Sequence, residues 1–161
     1  MKKYELTEET VTVYGKTLYR IRAVRDFGSV KTGEFGGYIE KEENLSHFDN
    51  AWVFGNARVC GDAKVYGNAR VYDDAWVSGN AEVFNTRHFF VQGPIGSRNG
   101  FITFYRTKDN TVEVRCGCFS GSLQKFVDRV EETHGGSRYE KEYKIAAELA
   151  KVCIRLEGES R

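Results

Sequence analysis

The side chains best suited to chemistry gather in the C-terminal third. Gly93-Pro94-Ile95-Gly96-Ser97-Arg98-Asn99-Gly100 is a run of turn-forming residues. Successive backbone N–H groups in such a loop can form a concave nest for an anion. Arg98 lies in the loop, and Arg106 and Arg115 lie close in sequence or across the hairpin that follows. Tyr105 adds an aromatic face. Arginine forks with a stacking ring are a common way to hold phosphates and bases. The expected ligand-binding set is therefore Gly96, Ser97, Arg98, Tyr105, Arg106 and Arg115. The plainer reading is a connector with solvated arginines, because the glycine spacing is not that of a Walker loop.

A second group is sulfur-based. Cys116 and Cys118 are two apart, so on a strand they face the same way. His134 and Cys153 fall on the inward stripes of two helices. Together they form the one set that would hold a structural zinc ion. Cys-x-Cys is not the usual knuckle spacing, and buried reduced cysteine is common. The expectation is thus no metal and no cofactor, with structural zinc as the alternative. A Cys–His nucleophile would need an activated thiolate and an orienting third group, and none is apparent. His47 and His88 are the other histidines. Neither has a recognisable catalytic surround, so no catalytic residue is assigned and no enzyme activity is expected.

The elements that must position these groups are dominated by a repeat. Ala recurs at 51, 57, 63, 69, 75 and 81, and Val at 53, 59, 65, 71, 77 and 83. Asn or Asp precedes every one of those alanines. The unit is Gly-Asn-Ala-x-Val-x with a period of six. Ala and Val two apart on a short strand face the same way, and Gly-Asn pairs tolerate the positive φ of a corner. Three such hexads close one coil of eighteen residues.

On that spacing Phe48, Tyr66 and Phe84 form one outward ladder, and Phe54, Tyr72 and Phe90 a second. Trp52 meets Arg70, and Arg58 meets Trp76, as cation–π pairs. Trp52, Phe54, Tyr66, Tyr72 and Trp76 are the expected interface residues, either under the flanking segments or against a partner.

The repeat resembles the left-handed hexapeptide-repeat proteins. It departs from them in placing Phe54, Cys60, Tyr66, Tyr72, Ser78 and Phe84 where that family carries small or acidic residues. The downstream run GPIGSR…TFYRTKD…VRCGCFSGSLQKFVDRVEETHG…EYKIAAELAK resembles the C-terminal domain of small hexapeptide-repeat proteins of bacteriophages and bacteria. This resemblance covers the chain from about Gly36 onward. It implies a phage or prophage origin and left-handed coiling, and carries no settled activity.

The expected architecture is mainly β with α. A short left-handed parallel β-helix of about two coils is capped by an N-terminal hairpin and a C-terminal ββαα domain. The expected divisions are 1–44, 45–92 and 93–161. In the N-terminal part, Tyr14-Gly15-Lys16 reads as a hairpin turn and 31–37 as a loop. In the C-terminal part, Lys108-Asp109-Asn110 reads as the turn between two strands. Ser122 reads as the cap of a helix running to about Thr133, with Leu123, Phe126, Val127 and Val130 inward. Gly135-Gly136 stops it, and a second helix follows from about Tyr139 to Leu156.

Composition narrows the function classes. There are 24 basic against 23 acidic residues, a net charge of +1. That balance argues against general DNA coating while leaving room for a local anion site. No apolar run has the length of a membrane span, and no secretory leader is apparent. The host bacterial cytoplasm is the expected location, and the four cysteines are expected to be reduced there. The expected function is a non-enzymatic phage binding protein that antagonises bacterial host defence. It would act as an oligomeric sponge for a nucleotide-derived immune signal. The alternatives are a protein-binding inhibitor of a defence nuclease and a structural or assembly protein. Expected partners are further copies of the chain and either that signalling molecule or a host defence protein.

Overall fold

The structure is a computed structural model and describes residues 1–158. Two antiparallel strands open the chain, β1 (Tyr4–Val13) and β2 (Lys16–Ala23). They are followed by β3 (Phe35–Ile39). The hexads supply six strands of two residues each. These are β4 (Trp52–Val53), β5 (Arg58–Val59), β6 (Lys64–Val65), β7 (Arg70–Val71), β8 (Trp76–Val77) and β9 (Glu82–Val83). Four longer strands follow: β10 (Phe89–Ile95), β11 (Gly100–Arg106), β12 (Val112–Cys116) and β13 (Phe119–Ser122). Helices α1 (Leu123–His134) and α2 (Arg138–Cys153) complete the fold.

These strands form four separate sheets, and this corrects the expected capped, left-handed parallel β-helix. The largest sheet is mixed, in the order β1-β2-β3-β5-β8, and the next is the antiparallel sheet β10-β11-β12-β13. The hexad strands do pair in parallel across eighteen residues: Trp52 with Arg70, Arg58 with Trp76, and Lys64 with Glu82. Those ladders are two residues long and divided among three sheets, so no continuous parallel β-helix is evident. The physical reason is the corner after each of the first five short strands, at Gly55, Gly61, Gly67, Asp73 and Gly79, all with positive φ. Two-residue ladders leave the sheet order to the longer antiparallel strands on either side.

Two further expectations change with it. The N-terminal hairpin is not a cap: β2 pairs with β3, and β3 pairs in parallel with β5, so the hairpin extends the hexad sheet sideways. The C-terminal unit is a four-stranded meander with two helices, not ββαα.

The segment 31–37 was expected to be wholly loop, yet Phe35-Gly36-Gly37 belongs to β3. A Cβ on Gly36 would lie 2.6 Å from the Val53 carbonyl oxygen, and one on Gly37 2.4 Å from that of Ala57. Missing side chains let β3 seat directly on the hexads.

Two apolar clusters hold the molecule. The first joins Tyr4, Ile21 and Ile39 to the hexad Ala and Val side chains, every one of which is buried. The second joins Ile102, Phe104 and Val114 to Phe126, Val130, Ala146, Ala147 and Ala150. Alternation along β11 explains its double role. Ile102 and Phe104 serve the second cluster, whereas Tyr105 is fully buried in the first. The Ser122 hydroxyl caps α1 by accepting from the Lys125 N–H. No helix among the described residues is long and apolar enough to cross a membrane.

Candidate ligand site

A cavity of about 710 Å³ lies where the hexad sheet, the β11–β12 hairpin, α1 and the turn at 96–99 meet; the run 93–100 expected as a loop is a loop only there, since Gly93-Pro94-Ile95 ends β10 and Gly100 opens β11. Its charged lining is four arginines, Arg58, Arg98, Arg115 and Arg129, against one carboxylate, Asp74. Trp76 forms part of the wall.

Local structure places each group. Arg58 and Trp76 occupy the outward position between buried Ala and Val in hexads three apart, and they are register partners on β5 and β8. The Trp76 backbone N–H donates to Thr103 Oγ1 at 2.9 Å, which ties β8 to β11. The Trp76 Nε1–H donates to Cys60 Sγ at 3.2 Å and fixes the ring. Arg115 lies opposite Thr103 on β12, and so arrives over Trp76. Its guanidinium carbon is 3.8 Å from the ring centre. Arg129, on α1, lies 5.7 Å from the Phe119 ring centre. A cation on an aromatic face is held in place while its in-plane N–H groups stay free.

These arginines form no ion pair with the described residues. Among the described residues none of the four has a carboxylate oxygen within 4.0 Å. The Nε atoms of Arg58 and Arg115 are buried with no hydrogen-bond partner. A buried charged donor left unpaired is costly, on the order of 1–3 kcal/mol or more, unless something external satisfies it. Such an arrangement suits a multiply charged anion with oxygen acceptors.

The structure brings together only part of the expected ligand set. Ser97, Arg98 and Arg115 line the cavity. Gly96 does not serve as an anion nest, because its N–H already donates to Glu142 Oε1 at 2.9 Å. Its φ of 79° favours glycine, and a Cβ there would overlap the Tyr143 hydroxyl. Tyr105 is in the core, where burial raises its hydroxyl pKa. Arg106 is buried elsewhere, donating to the Glu82 carbonyl at 3.1 Å and pairing with Glu157 at 3.4 Å. Arg58 and Arg129 were missed in sequence. The Arg58–Trp76 spacing was the available signal, but the ring is covered by Arg115, nearly forty residues away.

The expected interface residues also separate. Trp52 is buried under Tyr4 and Phe27 at 6.2 and 5.1 Å. Tyr66 stacks on Phe84 at 5.1 Å, half-buried. Phe54 is half-buried against the first core cluster. Tyr72 meets Phe89 edge-on at 5.2 Å and remains exposed.

Cys116, Cys118 and His134 line the cavity and Cys153 does not. Among the described residues no group of three or more His, Cys, Asp or Glu side chains is placed to hold a metal ion. Burial pushes the Cys116 thiol up, opposite to what a nucleophilic thiolate needs. His88 is buried, and its Nδ1 accepts from the Phe84 N–H at 3.2 Å. His47 stacks on Tyr4 at 4.1 Å. Both lie outside the cavity.

Compared with protein families and with curated proteins, the chain matches no family model and no curated protein.

Proposed function

We propose that the chain is a non-enzymatic binding protein whose cavity takes up a nucleotide-derived anion and sequesters it. The observation that carries this reading is the set of four arginines without carboxylate partners among the described residues, two of them with buried Nε atoms that have no hydrogen-bond partner there. Arginine forks are matched to phosphoryl oxygens, and the aromatic wall offers flat surfaces for a base. A volume of about 710 Å³ is in the range of small-molecule sites. Holding the ligand is the proposed action because the charged lining is cationic and the lining thiol Cys116 is shifted away from reactivity. Together with the resemblance to phage hexapeptide-repeat proteins, this reading makes the ligand an immune signal of a bacterial host and the protein its oligomeric sink.

The test is a thermal-shift and native mass-spectrometry panel of cyclic dinucleotides, ADP-ribose derivatives and ADP. A ligand that binds only the folded state raises the melting temperature. A concentration-dependent rise with a bound mass is expected for at least one phosphorylated nucleotide. No shift and no bound mass across the panel would overturn the reading.

A further inference from the structure

We propose that Tyr14, at the tip of the N-terminal hairpin, is a positioning residue of the ligand site. It holds the Arg115 guanidinium ready for a phosphoryl group. This inference rests on the ligand reading above and adds to it a residue from a distant segment of the chain.

The turn itself shows that Tyr14 is not there for the hairpin. Val13 and Lys16 are paired, and the two residues between them, Tyr14 and Gly15, have φ of 47° and 79°. Two positive φ values in a two-residue hairpin loop define a turn that favours Asn-Gly. A bulky aromatic residue in the left-handed region is strained. Nor is Tyr14 a core residue. It is 63% exposed and belongs to neither apolar cluster.

Its ring contacts are with cavity residues. The Tyr14 ring stacks on Trp76 at 5.5 Å with the planes 10° apart. The Arg115 guanidinium carbon lies 5.5 Å from the Tyr14 ring centre and 3.8 Å from that of Trp76. Two stacked rings from two parts of the chain thus both lie within 6 Å of one guanidinium, which rests on the face of Trp76. Fixing a long side chain before binding removes an entropy cost that binding would otherwise carry. Strain kept at an exposed tip and rewarded only at a cavity is how functional residues often depart from the best local choice.

The experiment measures affinity for ADP, cyclic di-AMP and inorganic pyrophosphate by calorimetry on the full chain. Trp76 fluorescence serves as a second readout, since the only other tryptophan, Trp52, is buried in the core. Tyr14→Phe keeps the ring and is expected to bind as the parent does. Tyr14→Asn supplies the preferred turn residue. It is expected to keep or raise the melting temperature while weakening phosphorylated probes about tenfold, the scale of one well-placed charged contact. In an Arg115→Ala background the same change is expected to have no further effect on affinity. Parent-like affinity in Tyr14→Asn, with the parent binding, overturns the role of Tyr14 and leaves the ligand reading standing. Failure of the parent to bind any of the three probes, together with no binding across the nucleotide panel above, overturns both.

Discussion

Arg115 lies face-on against Trp76, its guanidinium carbon 3.8 Å from the ring centre, although the two belong to different sheets. The contact spans the junction between the hexad region and the C-terminal meander. It makes an arginine with no carboxylate partner into a fixed part of the cavity wall. Arg115→Ala is expected to weaken binding of a phosphorylated nucleotide at least tenfold, about 2 kcal/mol for a lost charge-assisted contact. Arg115→Lys should recover only part of this, because an ammonium lacks the fork and the flat stacking face. Calorimetric titration of the three proteins checks both statements.

Arg106 should behave in the opposite way. It is buried, donates to the Glu82 carbonyl and to Asn110 Oδ1, and lies 5.0 Å from the Phe84 ring centre. Its substitution by Ala removes packing and hydrogen bonds that join β11 to the hexads. The expected cost is about 2 kcal/mol of stability, with unchanged nucleotide affinity in the folded fraction. Urea unfolding and a binding titration separate these outcomes.

Gly37→Ala places a methyl group 2.4 Å from the Ala57 carbonyl oxygen and 2.8 Å from Val53 Cγ1. Backbone on backbone cannot give way cheaply, so a loss of about 3 kcal/mol is expected. Gly100→Ala meets nothing within 4 Å and has no positive φ. That control should change the urea midpoint little.

His88 sets an acid limit. Burial, and then the nearby Arg106 charge, lowers its pKa from 6.5 to about 4. The folded state therefore disfavours the protonated ring. Its contribution to stability is complete above pH 6.5 and is lost as the pH falls toward 4, because the unfolded chain takes up the proton first. Burial lowers the His47 pKa too, so it acts in the same direction. Urea unfolding at stepped pH should show the decline, and His88→Gln should flatten it.

Lys3 adds an alkaline feature with the same sign of slope. Its side chain is fully buried, with Nζ donating to the Ala51 carbonyl at 2.6 Å. Burial, with the Arg25 charge, lowers its pKa from 10.5 to about 8. The penalty for its charge is complete below pH 8 and is relieved above it, while the unfolded chain still carries the proton. Stability should rise from pH 8 toward 10. Beyond pH 10 the trend should reverse, because burial raises the pKa of Tyr4, which keeps its proton only when folded. Thermal unfolding between pH 7 and 11 checks the maximum, and Lys3→Met should remove the rise.

The parts legible in the sequence are those governed by short-range geometry. The six-residue recurrence of Ala and Val marked side chains that are all buried, because alternation along an extended chain is a property of the backbone itself. The stripe Leu123, Phe126, Val127 and Val130 marked α1 with its Ser122 cap for the same kind of reason. Tyr14-Gly15 marked a turn. The hidden parts depend on which surfaces meet. β3 has two glycines where a strand pattern would show side chains, and only its pairing with β2 and β5, two segments distant in sequence, makes it a strand. Trp52 occupies the same hexad position as Trp76, yet Tyr4 and Phe27 bury the first while the second reaches a cavity. Arg106 and Arg115 looked equivalent in sequence. Docking of the C-terminal sheet buries one beside Glu82 and leaves the other on Trp76 without a counter-ion. Hexad periodicity and helix caps are written residue by residue. The identity of the site came from burial between distant segments, a force that has no direction along the chain and so leaves no local pattern.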